Sequence, residues 1–174
     1  LTYVYDGFTA YGSPYNEFNP TLGLFKTAMF DEGTNSITAE HFPQITVTAP
    51  ILYWISVVLA LLCFGCFVYM MIRKSDLING VERVYFTLLF GVQLVSYYLF
   101  AFAYPFTCTY NIRYAMPLIP LSVLGMALVL QKTKDSKKPV TIWFRRVLYV
   151  LCAAFCMMSY LVYTQLSATM TPVT

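Results

Sequence analysis

The stretch Tyr110-Asn111-Ile112-Arg113-Tyr114-Ala115-Met116-Pro117-Leu118-Ile119-Pro120 holds the residues best suited to chemistry. Arg113 is a fixed cation standing where one long uncharged run ends and another begins, among Tyr110, Asn111 and Tyr114. A guanidinium presents a planar fork of N–H donors that binds two phosphate oxygens at once. A helix opening at the same place adds the positive end of its dipole. Pro117 falls in the first turn of the new run, where a missing N–H is tolerated, and Pro120 follows about one turn in, placed to kink or loosen the entry. An arginine at a membrane boundary also has a plainer use, snorkelling to the headgroups. Arg113, Tyr114 and Tyr110 are therefore the candidate binding residues, for a lipid-linked anion bearing phosphate, with an interfacial anchor as the alternative.

The other reactive residue types are less promising. Cys63 and Cys66 have C-x-x-C spacing but sit inside an apolar run, where desolvation opposes the thiolates that zinc or redox chemistry needs. Small polarizable residues at a helix contact are the simpler account, and the same holds for Cys152 and Cys156. Cys108 has no obvious disulfide partner within the chain. His41 is the sole histidine, and one histidine builds no metal site alone. Asp31 and Glu32 are adjacent, so on a helix they point to different faces and form no ready acid–base pair. No catalytic residue, metal site or cofactor is assigned to this chain from its residues.

The elements that must position Arg113 follow from composition. Of 174 residues 59% are apolar and only 11% are charged, with a mean hydropathy of +0.63. Soluble domains carry about 25% charged residues, so the chain is expected to be a membrane protein. The net charge of +3 lies in short basic runs beside apolar segments, which does not fit a nucleic-acid-binding face. Four uncharged stretches approach the length that crosses roughly 30 Å of hydrocarbon: about 51–72, 84–105, 115–130 and 147–164, the third being short. Only helices can serve as such units, because every backbone group must bond internally. The expected fold is thus all-α, a polytopic membrane protein with four transmembrane helices over residues 50–174. There is no internal repeat and no low-complexity run.

Nine of the eleven basic residues fall in two loops, Arg73, Lys74 and Arg83 in one and Lys132, Lys134, Lys137, Lys138, Arg145 and Arg146 in the other. The positive-inside rule places loops 73–83 and 131–146 in the cytoplasm, and Arg113 and both termini outside. Residues 1–49 then form an extracytoplasmic segment rich in Tyr and Phe, carrying five of the eight acids. Asn19-Pro20 is a helix start, and Leu22, Phe25 and Met29 recur at spacings of three and four. The spacing predicts a short amphipathic helix near 20–32, either lying at the membrane face or packed on the bundle, or else part of a small soluble cap. The chain opens on Leu1 without a signal-peptide pattern, and is expected to be the C-terminal part of a longer polytopic protein.

Asn111-Ile112-Arg113-Tyr114-Ala115-Met116-Pro117-Leu118-Ile119-Pro120 resembles the R-Y-x-x-P-x-x-P pattern of GT-C superfamily membrane glycosyltransferases. The nearest group is the bacterial relatives of protein O-mannosyltransferases and of the lipid A aminoarabinose transferase, where this motif opens a late helix at the outer face. The stretch Leu24-Phe25-Lys26-Thr27-Ala28-Met29-Phe30-Asp31-Glu32 is also similar to their outer segment before a late span. The resemblance covers about Leu22 to Thr164. It implies an integral membrane enzyme that moves a sugar from a polyprenyl-phosphate donor to an acceptor hydroxyl. The family's catalytic acid stands in an early outer loop, so it would lie outside this chain. Arg113 and Tyr114 would sit near the donor's phosphate or carrier, and the chain's partners would be that donor, membrane lipid and the remaining membrane region of the same protein. Related enzymes often carry a histidine or acid just before the arginine–tyrosine pair, where this chain has Asn111 and Ile112. The rival readings are a non-catalytic four-helix membrane subunit and a component of a lipid-carrier flippase.

Overall fold

The computed structural model describes residues 20–29, 45–73, 75–104, 109 and 111–169. Among them five α-helices follow in order: α1 Pro20–Met29, α2 Ile45–Ile72, α3 Gly80–Ala103, α4 Leu118–Lys132 and α5 Pro139–Thr169. A single-turn 3-10 helix, Ile112–Ala115, leads into α4. The protein is all-α over the described residues. Tyr110, Cys108, His41, Asp31 and Glu32 lie outside them.

Three of these helices, α2, α3 and α5, are long and apolar enough to cross a membrane. At about 1.5 Å per residue their lengths are roughly 42, 36 and 46 Å. Helix α4 has 15 residues, or about 22 Å, and is by itself shorter than the hydrocarbon layer. It starts at Leu118, three residues later than the apolar run predicts, and the prolines are the reason. In a continuous α-helix the N–H of residue 117 would reach the carbonyl of Arg113 and that of residue 120 the carbonyl of Met116, and proline supplies neither. The chain compensates with tighter bonds: Ile119 N donates to Met116 O at 3.2 Å and Tyr114 N to Asn111 O at 3.1 Å.

The other three starts come earlier than counting uncharged residues suggests. Helix α3 begins at Gly80, not Val84, because Asn79 and Glu82 close a capping box: Glu82 N donates to Asn79 Oδ1 at 2.8 Å, and Asn79 N donates to Glu82 Oε2 at 2.9 Å. Removing the cap should matter. Asn79→Ala is expected to cost about 1 kcal/mol, read as a lowered Tm of the detergent-solubilised protein; an unchanged Tm would refute the box. Helix α5 begins at Pro139, the residue type pre-organised for a first helical position. Arg145 and Arg146 therefore stand on the helix rather than in a loop, and Arg145 Nη1 turns back to the carbonyls of Thr133 (3.2 Å) and Lys134 (2.5 Å) just beyond α4. Helix α2 begins at Ile45, six residues before the uncharged run at Ile51, and accommodates Pro50 in its second turn. There Thr48 Oγ1 donates to Gln165 Oε1 of α5 at 3.0 Å.

Helix α2 is the centre of the bundle, packed along both α4 and α5. At its crossing with α4 a Cβ on Gly125 would come within 2.6 Å of Phe67 N and Cβ, and closer still to its Cα. Small residues allow this kind of approach, which lets two helices exchange close van der Waals contacts where no water is expelled. Cys63 and Cys66 are buried on the same face, and Cys63 Sγ lies 3.5 Å from Met126 Sδ of α4. They act as helix-contact residues. Helix α3 joins through aromatic rings, with Phe90 stacked on Phe67 at 4.7 Å and on Phe64 at 5.5 Å. One buried cluster combines Phe67, Met70, Phe90, Tyr97 and Leu121, and a second joins Ala49, Leu52 and Tyr53 of α2 to Val162 of α5.

Candidate functional site

Because the helices alternate in direction, both basic loops lie at one end of the bundle. The other end collects the 3-10 helix, the last turns of α3 and α5, the start of α2, and α1. Helix α1 is packed on that end. Tyr97 of α3, a buried side chain, donates its OH to Pro20 O at 2.8 Å, and Tyr98 OH pairs with Thr21 Oγ1 at 2.8 Å. Tyr163 OH of α5 donates to Met29 O at 2.6 Å. Three tyrosines thus hold α1 at its first and last turns, Tyr97 with its ring buried, each directing its hydroxyl to an α1 backbone or side-chain oxygen.

The 3-10 helix carrying Arg113 and Tyr114 is built into this frame. Thr27 of α1 donates to Gly23 O at 2.8 Å and accepts from Ile112 N at 2.9 Å. Asn111 is buried, and its Oδ1 accepts from Arg113 N at 3.0 Å, capping the turn. Ala115, at the end of the turn, is fully buried. Gln93 of α3 donates Nε2 to Tyr114 O at 2.6 Å. The backbone of residues 111–115 is therefore fixed from three sides, while the side chains of Arg113 and Tyr114 stay exposed.

Exposure does not leave these side chains loose. The Arg113 guanidinium carbon lies 5.1 Å from the centroid of the Tyr114 ring, within the range of a cation–π contact. The Tyr114 ring in turn leans on Phe100 of α3 at 5.0 Å, and Phe100 on Tyr104 at 5.5 Å. The arrangement is a guanidinium on an aromatic platform, with its N–H edge open. The three acids among the described residues, Asp76, Glu82 and Asp135, all lie at the opposite end. Among the described residues no carboxylate therefore competes with a bound anion for Arg113.

The sequence-predicted pair Arg113 and Tyr114 is thus brought together on one surface, while Tyr110 falls outside the described residues. The supporting residues Thr27, Gln93 and Phe100 were not singled out from sequence. Gln93 had a signal, as one of the most polar side chains inside an uncharged run. Its bond to Tyr114 leads to a specific expectation. Gln93→Leu keeps the volume but removes the donor to a carbonyl at the head of α4, which should cost about 1 kcal/mol; a thermal-unfolding comparison in detergent that shows no loss would dismiss the contact. Comparison of the chain with protein-family models, with curated proteins and with solved structures found no match.

Proposed function

We propose that this chain is the C-terminal membrane part of a glycosyltransferase that transfers a sugar from a polyprenyl-phosphate donor to an acceptor hydroxyl on the outer face of a cell membrane. The observation that carries the reading is Arg113: an exposed guanidinium, seated on Tyr114 and rigidly based, at the end of the bundle away from the described acids. In this reading the 3-10 helix, Met116-Pro117 and α4 together form a fourth span, with the basic loops in the cytoplasm. The platform of Tyr114, Phe100 and Tyr104 lies where the headgroup region would be, suited to the start of a polyprenyl chain.

The reaction is a displacement at the anomeric carbon. The acceptor oxygen forms the new bond to that carbon while the carbon–oxygen bond to the polyprenyl phosphate breaks. The bonding pair leaves with the phosphate, and the acceptor's proton passes to a base outside this chain. Negative charge grows on the leaving phosphate, and a pre-positioned guanidinium stabilises it more in the transition state than in the ground state.

The test is a donor assay on the full-length protein in lipid nanodiscs, with polyprenyl-phosphate sugars as substrates and release of polyprenyl phosphate as the readout. Release that depends on an acceptor supports the proposal. Movement of an intact polyprenyl-phosphate sugar between leaflets without release points to a flippase component. Neither activity leaves a non-catalytic subunit.

A further inference from the structure

The opposite end of the bundle holds a second arrangement that the transfer reaction does not use. A cavity of about 690 Å³ opens between the link from α2 to α3 and the end of α4, lined by Ser75, Asp76, Gly80, Arg83 and Lys132 among others. Two features set its chemistry. Arg83 Nε is buried and has no hydrogen-bond partner. A buried guanidinium N–H without an acceptor is costly, since charged groups lose the most on desolvation. Nearby, Arg73 and Lys132 gather at one ring: the Arg73 guanidinium carbon lies 5.9 Å and Lys132 Nζ 5.3 Å from the centroid of Tyr69.

Two cations from two helices, Arg83 of α3 and Lys132 of α4, therefore share the cavity wall, with Arg73 beside Lys132 at the Tyr69 ring, and the acids beside them do not balance the charge. Glu82 is committed to the Asn79 backbone in the capping box. Asp76, on the cavity wall, is the only other carboxylate there among the described residues. Arg145, which also faces this end from α5, is spent on the carbonyls of Thr133 and Lys134. Asn79 already caps the start of α3 through Glu82 N, and the positive charge on the cavity wall comes from the side chains of Arg83 and Lys132.

We infer that this cavity binds the phosphate of an anionic phospholipid headgroup, with Arg83 and Lys132 as its ligands. The surface at the mouth favours a lipid over a soluble phosphate. Val81, Val84, Tyr85 and Leu88 of α3, continuous with the cavity wall at Gly80 and Arg83, are each more than half exposed. They form an apolar stripe along which acyl chains can lie while the headgroup enters. Cationic pockets at the basic end of membrane helices have the charge and depth to recognise such headgroups. The inference needs the bundle to lie in a membrane and is independent of the glycosyltransferase proposal.

The test is thermal unfolding of the purified full-length protein in neutral detergent, titrated with dioctanoyl phosphatidylglycerol, dioctanoyl phosphatidylcholine or inorganic phosphate. Saturable stabilisation by the phosphatidylglycerol alone is expected. Arg83→Gln and Lys132→Gln should each weaken it about tenfold, the loss of one charge-assisted hydrogen bond. Lys137→Gln, which removes the same charge from the same end but does not line the cavity, should leave it unchanged. Equal stabilisation by both lipids, or full retention in both cavity variants, overturns the site. Full stabilisation by inorganic phosphate at comparable concentration overturns the lipid as its occupant.

Discussion

Arg113→Ala in the full-length protein is expected to lower kcat for polyprenyl-phosphate-sugar turnover about a hundredfold, the scale seen when one pre-organised donor to a developing anion is removed. Arg113→Lys should recover only part of the loss. A lysine restores the charge but not the two-pronged geometry, nor the planar stacking on Tyr114 that the structure provides. The effect should fall mainly on kcat, because the interaction strengthens as the carbon–oxygen bond breaks. Arg146→Ala is the matched control: an exposed arginine on α5 at the far end of the bundle, expected to change turnover little. If Arg113→Ala and Arg146→Ala behave alike, Arg113 is an interfacial anchor and the proposed role is gone. The supports of residues 111–115 make the comparison clean, since none of their bonds uses the guanidinium.

Gly125→Leu is expected to abolish the folded protein. The side chain would be driven into the backbone of Phe67, where no rotamer of a neighbour can relieve the overlap. Even Gly125→Ala should cost about 3 kcal/mol, the upper part of the usual range for overpacking, because α2 and α4 would have to separate along their shared face. The readout is the monodisperse fraction in detergent together with Tm. The sign should reverse at Gly65 and Gly91. A Cβ at either of these positions meets nothing within 4 Å, and alanine there should stabilise by up to about 1 kcal/mol through helix propensity alone. Opposite signs for the same substitution would locate the close contact at Gly125. Uniform tolerance would mean that α2 and α4 do not cross this closely.

Much of the architecture is visible in the residues alone, because a bilayer imposes simple demands. A span of about 30 Å needs a backbone satisfied internally, and the apolar runs of α2, α3 and α5 are long and apolar enough for that. Charge avoidance also separates the two ends, leaving Arg113 as one of only two basic residues outside the basic loops. Boundaries were less accessible when drawn by charge. Glu82 and Arg83 look like loop residues but occupy the first turn of α3, and Arg145 and Arg146 are already inside α5. The local signals that override them, the Asn79–Glu82 capping box and Pro139 at the first position of α5, are helix-start chemistry rather than hydropathy.

The sequence by itself determined the helical class, the apolarity of the main helices, and the placement of Arg113 beside Tyr114 just before α4. Each depends on neighbours a few residues apart and on a solvent that tolerates few alternatives. Only the tertiary structure decided what surrounds the pair. Thr27, Gln93 and Phe100 come from two other helices and meet residues 111–114 only once the bundle is assembled. The same applies to Gly125 against Phe67, and to Arg83 and Lys132 on one cavity wall. No local pattern encodes these pairings, because they follow from how helices of nearly uniform apolarity choose their faces, and that choice is made by shape, small residues and a few hydrogen bonds.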